Sequence, residues 1–333
     1  AQIVMSYEPK CLREDGPNNK PDGLCRCAAK MRIHAETTQF NMTIYDANVN
    51  MLRTQTEAMS ATLAGVDSLT VLPYDIAFKN SDEFSERIAR NQQLLLKEES
   101  HFDKVTDPGA GSYYIETLTK ELAEQAWKIF LDVEEKGGFF EVVKSGELQR
   151  EVKATAAIRL KAISGRKEIL LGTNQFPEFT QKALTKMDAT KLISTDIDDC
   201  GCSTAGVETL KPVRGSKEFE ELRLATEKSA KTPKAFMLTI GSLSMRLARA
   251  QFSGNFFACA GYEIIDNLGF DSVEEGVKAA LEANADLVVL CSSDDEYTEF
   301  APAAYELLKD RAILVVAGAP ANMDELKAKG IDH

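Results

Sequence analysis

From residue 235 onward the chain keeps a regular beat of short apolar runs and amphipathic stretches. The runs at 235–240, 262–265, 287–291 and 313–316 are too short for helices and too continuously apolar for strands with one wet face. Between them, residues 245–260, 273–284 and 297–308 carry the period of helices with one apolar stripe. Strands buried on both faces and joined by helices pair in parallel through right-handed crossovers. This C-terminal stretch therefore predicts a doubly wound parallel sheet with helices on both faces. The chain stops at His333, where a fifth strand is due, so the unit is expected to be truncated.

The N-terminal part alternates less regularly. Residues 31–35, 49–63, 68–72 and 84–97 read as strand, helix, strand, helix, which suits either a barrel or an open α/β sheet. A closed eight-fold barrel needs about 250 residues, so fewer than half of its units fit before the composition changes. The first residue is Ala1 instead of Met, and the middle and end of a longer polypeptide are expected. Asp107-Pro108-Gly109-Ala110-Gly111-Ser112 is a turn signal, followed by a helix at 120–135 with Leu122, Ala126, Ile129 and Val133 on one stripe. Gly137-Gly138 stops that helix, and 141–163 reads as helical again. From 175 to 232 the chain turns polar, with Asp196, Asp198, Asp199 and a charged helix at 218–227, and reads as a connection between two domains.

With 333 residues, 44% of them hydrophobic and 27% charged, the chain is long enough for two ordinary globular domains. It has neither a long uncharged apolar window nor a signal-peptide pattern, so a soluble, cytoplasmic protein with no membrane partner is expected. Acidic residues outnumber basic ones, 52 to 39, and a net charge of -13 repels phosphate backbones, which removes nucleic acid as a partner class. Cys11, Cys25, Cys27, Cys200, Cys202, Cys259 and Cys291 are too irregular for a disulfide framework. Cys25-Arg26-Cys27 and Cys200-Gly201-Cys202 lack the two-residue gap that lets two sulfurs face one metal, so free thiols and no metal site are expected.

Each chemical motif has a plainer reading beside it. Gly241-Ser242-Leu243 follows the first C-terminal strand, but Ser244-Met245-Arg246-Leu247-Ala248 is too bulky for a glycine-rich phosphate cradle, and an ordinary strand-to-helix loop is expected. Cys291-Ser292-Ser293-Asp294-Asp295 reads as a helix N-cap. Of His34, His101 and His333, only His34 ends a strand where a barrel residue could reach an active site; a hydrogen-bonded structural histidine is the plainer reading. Glu98-Glu99 and Glu134-Glu135 point about 100° apart on helices and read as solvated faces.

Longer segments carry a resemblance. Ser85-Glu86-Arg87-Ile88-Ala89-Arg90-Asn91, Glu98-Glu99-Ser100 and Asp107-Pro108-Gly109-Ala110-Gly111-Ser112-Tyr113-Tyr114-Ile115-Glu116, at this spacing, resemble the end of the substrate barrel of adenosylcobalamin-dependent methylmalonyl-CoA mutases. Arg32-Ile33-His34-Ala35-Glu36-Thr37-Thr38 resembles a strand of the same family. The C-terminal beat is similar to the family's cobalamin domain, with Ala317-Gly318-Ala319-Pro320 at its Gly-Gly loop. The resemblance covers nearly the whole chain. It implies the C-terminal part of a (β/α)8 TIM barrel at 1–140 and a helical, irregular connection at 141–232. A flavodoxin-like, degenerate cobalamin-binding-type domain is implied at 233–333.

The departures from the family bear on function. Cobalamin-binding members carry Asp-x-His-x-x-Gly after the first strand of that domain: the His ligates cobalt, the Asp orients it and the Gly clears room for the nucleotide tail. The matching positions here are Leu243, Met245 and Ala248, which do not rebuild an oriented imidazole. A Ser-Leu-His segment that helps hold the acyl-CoA reads Ser68-Leu69-Thr70. The resemblance thus implies no catalytic, cofactor-binding or metal-binding residue in this chain. It implies the smaller, structural subunit of a heterodimeric isomerase of propionate metabolism. The large partner would hold adenosylcobalamin and acyl-CoA, and the complex would interconvert methylmalonyl-CoA and succinyl-CoA by radical rearrangement. A cobalamin-binding catalytic subunit with another ligand, a ligand-sensing regulatory subunit, and an unrelated α/β enzyme with a Cys or His nucleophile stay open as alternatives.

Overall fold

A computed structural model describes residues 31–187 and 207–331. The expectations placed on Cys11, Cys25, Cys27, Cys200, Cys202, Asp196, Asp198, Asp199 and His333 lie outside the described residues.

Strand β1 (His34–Glu36), helix α1 (Val49–Leu63) and strand β2 (Ser68–Thr70) form one βαβ unit, the strands parallel with His34 opposite Ser68. Helix α2 (Glu83–Leu94) opens on a capping box: Asp82 accepts the Ser85 N–H, and the Ser85 hydroxyl accepts the Asp82 N–H. It continues into a π turn, Leu95–Glu99, in which Leu96 is buried with Ala58, Val71 and Ala89. Helix α3 (Tyr113–Glu135) starts earlier than the sequence pattern suggests. Ser112 stands extended before it, and Glu116 in its first turn reaches back to the Gly111 N–H. None of its residues is buried, and Leu122 and Ile129 on the predicted stripe are 62% and 65% exposed.

The single helical run expected at 141–163 is divided into α4 (Phe139–Lys144) and α5 (Glu147–Ser164), because Gly146 between them turns left-handed at φ 72°. Nor is the polar segment after it a free tether. Ala183, and Leu224 on helix α6 (Lys217–Lys228), join Met42, Ile44 and Tyr45 in one core cluster. Glu220, 2% exposed, accepts the Ile44 N–H (2.9 Å) and pairs with buried Arg214 (2.6 Å). Glu227 accepts the Tyr45 hydroxyl (2.6 Å) and the N–H groups of Ala183 and Leu184. These charges are internal partners, which composition alone cannot distinguish from a solvated surface.

The C-terminal beat becomes β3 (Lys234–Thr239), α7 (Leu243–Cys259), β4 (Glu263–Ile265), α8 (Val273–Glu282), β5 (Leu287–Cys291), α9 (Tyr297–Leu308), β6 (Ile313–Val316) and α10 (Met323–Ala328). The four strands are all parallel, in the order β4-β3-β5-β6. Side chains alternate along them. Ala235, Met237, Val289 and Cys291 pack with Ala250 of α7, while Phe236, Leu238, Val288 and Leu290 pack with Val277, Ala301, Ala304 and Leu308 of α8 and α9. Burying each large apolar side chain in these layers stabilises the unit by about 1.5–3 kcal/mol relative to leaving it in water. The order reverses between β3 and β5, and their carboxyl ends therefore open onto the crevice where such sheets admit ligands.

The two parts share a mixed α/β architecture with parallel sheets. Among the described residues the first part contributes two strands. No described helix is long and apolar enough to cross a membrane.

Candidate functional site

Four loops meet at the carboxyl edge of the C-terminal sheet: 240–242 after β3, 266–270 after β4, 292–296 after β5 and 317–322 after β6. Gly241, Gly269 and Gly318 have φ of 76°, 115° and 159°, and each faces a charged side chain of this same chain. A Cβ on Gly241 would collide with the Glu296 carboxylate, and one on Gly318 with Arg249 Nη1. One on Gly269 would lie 2.7 Å from the Arg246 guanidinium.

Glu296 is the hub of this edge. Its Oε2 accepts the hydroxyls of Ser292 (2.5 Å) and Ser293 (2.6 Å), the Ser293 N–H (3.1 Å) and, more weakly, the Ser242 N–H (3.4 Å). The Ser292 hydroxyl, then the Ser293 hydroxyl and N–H, pull its carboxyl pKa down to about 2 from an ordinary 4.5. Arg249 donates to the Tyr297 hydroxyl (2.8 Å) and the Ala317 carbonyl (2.5 Å) and pairs with Asp294 (2.8 Å). The buried Tyr297 hydroxyl also accepts the Ser292 N–H (3.1 Å) and donates to the Ala317 carbonyl (2.8 Å), which joins the ends of β5 and β6. Arg246 reaches the Gly241 and Leu268 carbonyls at 3.4 and 3.3 Å. One carboxylate and two guanidinium groups thus cover the three glycine backbones.

Leu243, Met245 and Ala248 lie on the first two turns of α7, outside this polar cover, with Leu243 61% and Met245 38% exposed and Ala248 exposed as well. The N-cap expected at 291–295 is corrected by the structure. Helix α9 begins at Tyr297, and the serine hydroxyls turn to the Glu296 carboxylate, a stronger acceptor than a neutral group. In the first part, register places His34 beside the Ser68-Leu69-Thr70 segment: Nδ1 is 2.8 Å from the Ser68 hydroxyl and Nε2 is 3.4 Å from that of Thr70. His34 is exposed, and its described hydrogen bonds include no carboxylate to orient the ring. His101 sits apart on an exposed turn at φ 55°. Glu98, Glu99, Glu134 and Glu135 are exposed.

Burial pushes the Cys259 thiol up to about 11 and the Cys291 thiol up to about 12, so neither is a nucleophile at neutral pH. Among the described residues no group of three His, Cys, Asp or Glu side chains could hold a metal ion. Sequence reasoning missed Glu296, Arg246 and Arg249. The one local signal was the Ser293-x-x-Glu296 spacing, in which an acid reaches back to an N–H three residues earlier.

The family model described as methylmalonyl-CoA mutase matches residues 23–243, more than half of the chain. The chain belongs to the methylmalonyl-CoA mutase family. Over 331 residues it is 61% identical to the methylmalonyl-CoA mutase small subunit of Porphyromonas gingivalis, an alignment covering 99% of this chain and 51% of that relative. The small subunit of Streptomyces virginiae is 34% identical over 313 residues, covering 92% of this chain and 49% of the relative. The methylmalonyl-CoA mutase of Cereibacter sphaeroides is 37% identical over 217 residues, 65% of this chain and 28% of that protein. The chain spans about half the length of the small subunits it matches. The family model stops at Leu243, so most of the C-terminal α/β unit lies beyond it, while the Porphyromonas alignment runs through that unit.

Proposed function

We propose that this chain is the small, structural subunit of a heterodimeric methylmalonyl-CoA mutase of the bacterial cytoplasm. The large subunit binds adenosylcobalamin and acyl-CoA and carries out the rearrangement between methylmalonyl-CoA and succinyl-CoA. In this reading residues 1–140 belong to the C-terminal part of a TIM barrel, 141–232 connect it to the second unit, and 233–333 form a flavodoxin-like domain of cobalamin-binding type. The strand order β4-β3-β5-β6 supports the flavodoxin-like assignment.

The observation that carries the proposal is the closed carboxyl edge. Glu296, Arg246 and Arg249 stand against the glycine backbones that a cofactor tail would need to approach. Met245 and Leu243 stand where an imidazole ligand and its orienting carboxylate would be required. The residues present do not fit cobalamin, and no step of the reaction is assigned to this chain. Its contribution is surface. The pair β1-β2, which has no third strand beside it among the described residues, needs further cover on its faces and edges, and α3 buries none of its residues; both support extensive packing against further protein.

The test is to titrate the purified full-length subunit with adenosylcobalamin under dim light and measure what gel filtration retains. No retention by the subunit alone, with retention by its complex with the large subunit, is the expected result. Retention of one cofactor per small subunit overturns the proposal.

A further inference from the structure

No apolar core cluster among the described residues draws members from both sides of residues 229–233. Two parts joined without a large apolar interface move relative to each other unless other contacts hold them. Contacts from the joining segment fall on one face of α7. That helix turns Ala250 toward the sheet and Gly254 toward Ile264 of β4. Phe252, Phe256 and Cys259 recur at i, i+4 and i+7 on the opposite face.

Arg166 reaches this face from the loop after α5. It donates Nη2 to Asn255 Oδ1 (2.7 Å), and its guanidinium lies over the Phe252 and Phe256 rings, 5.0 and 5.9 Å from their centroids. The loop that carries it is braced. Buried Asn174 donates to the Ile163 and Glu168 carbonyls (2.9 Å each) and accepts the Leu170 N–H (2.8 Å), and Arg53 of α1 donates to the Leu171 carbonyl (2.8 Å). The left-handed residue that ends α5 is Arg166, at φ 57°, and not its neighbour Gly165, at φ -79°; a residue with a Cβ holds that conformation at a cost. Just beyond α7, Gly261 sits against α6, where an added Cβ would come within 3.0 Å of Arg223 Cγ and 3.6 Å of the Arg223 carbonyl. Cys259 faces away from the sheet and is still only 3% exposed, so the joining segment covers it, and the charges of Arg166 and Arg223 both act on its thiol. Phe252 and Phe256 remain exposed under Arg166, so this clasp is partly solvated.

We propose that Arg166 is a releasable latch, and that with it open the C-terminal unit swings about the exposed link 229–232 and uncovers the Cys259 face of α7. Helix α6 stays with the first part, because Leu224 belongs to that core and Glu220 holds the Ile44 N–H. A cation over two partly wet rings and one hydrogen bond together bias an open–closed equilibrium by roughly tenfold, enough to favour the closed form and little enough to be undone. Closed, the latch fixes the angle at which the carboxyl edge stands to the first part. It is built from this chain's own residues, so it stands or falls independently of the cofactor and partner readings.

The test is native-state labelling of the full-length subunit with a thiol-specific reagent, mapped to each cysteine by mass, for the wild type, Arg166→Met, Arg166→Lys and Asn255→Ala. Cys291, wholly buried on β5 within the sheet, reports loosening of the C-terminal unit itself. Cys259 in Arg166→Met should label roughly tenfold faster than in the wild type, with the Cys291 rate unchanged. Arg166→Lys keeps a cation over the rings and Asn255→Ala keeps the arginine, so each should give a smaller rise. Asn255→Ala decides by the same signs if Arg166→Met does not fold. A wild-type rate at Cys259 in Arg166→Met overturns the proposal. So does an equal rise at Cys259 and Cys291, which is the result if the substitution loosens the unit and the seam stays shut.

Discussion

Replacing Glu296 by Gln keeps the shape of the side chain at the centre of the closed edge and removes its charge. The carboxylate holds two short hydroxyl bonds, at 2.5 and 2.6 Å, to Ser292 and Ser293. Hydrogen bonds to a charged group contribute about 1.5–3 kcal/mol each. Glu296 is only partly buried, so water and salt screen both, and a total of about 2 kcal/mol is expected at neutral pH. The carboxyl pKa is held at about 2 in the folded chain, below its ordinary 4.5. A depressed folded value means that the contribution is fully present above about pH 5 and is lost as the pH falls toward 2. Urea unfolding of the full-length wild type and Glu296→Gln between pH 7 and pH 3 measures the difference directly. The wild type should be more stable by about 2 kcal/mol at pH 7, and roughly half of that gap should remain near pH 3. A gap that is absent at pH 7, or flat across the whole range, refutes the reasoning.

The Leu243→Asp, Met245→His, Ala248→Gly triple variant restores the family's ligand pattern but leaves the polar cover in place. It should still release adenosylcobalamin on gel filtration, and retention by the triple variant alone would show that Glu296 and Arg249 do not close the cleft. Glu220→Ala leaves Arg214 buried without its carboxylate and should cost about 3–5 kcal/mol in thermal or urea unfolding, whereas an exposed pair such as Lys120 and Glu124 should be worth less than about 1 kcal/mol. Cys259 and Cys291, with pKa values of about 11 and 12, should resist a thiol-specific disulfide reagent at pH 7.5 in the native subunit. Mass mapping that finds either one labelled at the rate of an exposed cysteine would contradict their burial.

Much of the C-terminal unit was legible because strands covered on both faces cannot carry polar residues. The runs at 287–291 and 313–316 and the helix at 297–308 coincide with β5, β6 and α9. Helix α1 was equally plain, with its expected span at 49–63 matching Val49–Leu63. What composition could not show in the segment from 175 to 232, read as a connection between two domains, is how tightly it packs. Glu220 meets the Ile44 N–H across 176 residues, and no local pattern separates a glutamate that completes a buried network from one that faces water. Helix α3 began early because Tyr113-Tyr114-Ile115, after a glycine-rich turn, carry no start signal beyond Ser112 and Glu116.

The candidate site was legible only in part, for a related reason. Leu243, Met245 and Ala248 are near neighbours in sequence, so a missing ligand pattern can be read along one helix. The cover over the edge is assembled from different elements: Ser242 and Glu296 meet across 54 residues because β3 and β5 pair, and Arg249 crosses from α7 to the Ala317 carbonyl after β6. Each of these charges has its partners inside the chain, and each glycine keeps the positive φ that lets a backbone be approached closely. Removing one charge therefore leaves the others in place. Replacing the three α7 residues changes what could bind at the cleft without changing what already fills it. Closure in two layers, a lost ligand pattern outside and a polar network beneath, fits a subunit whose proposed contribution is the surface it offers a partner.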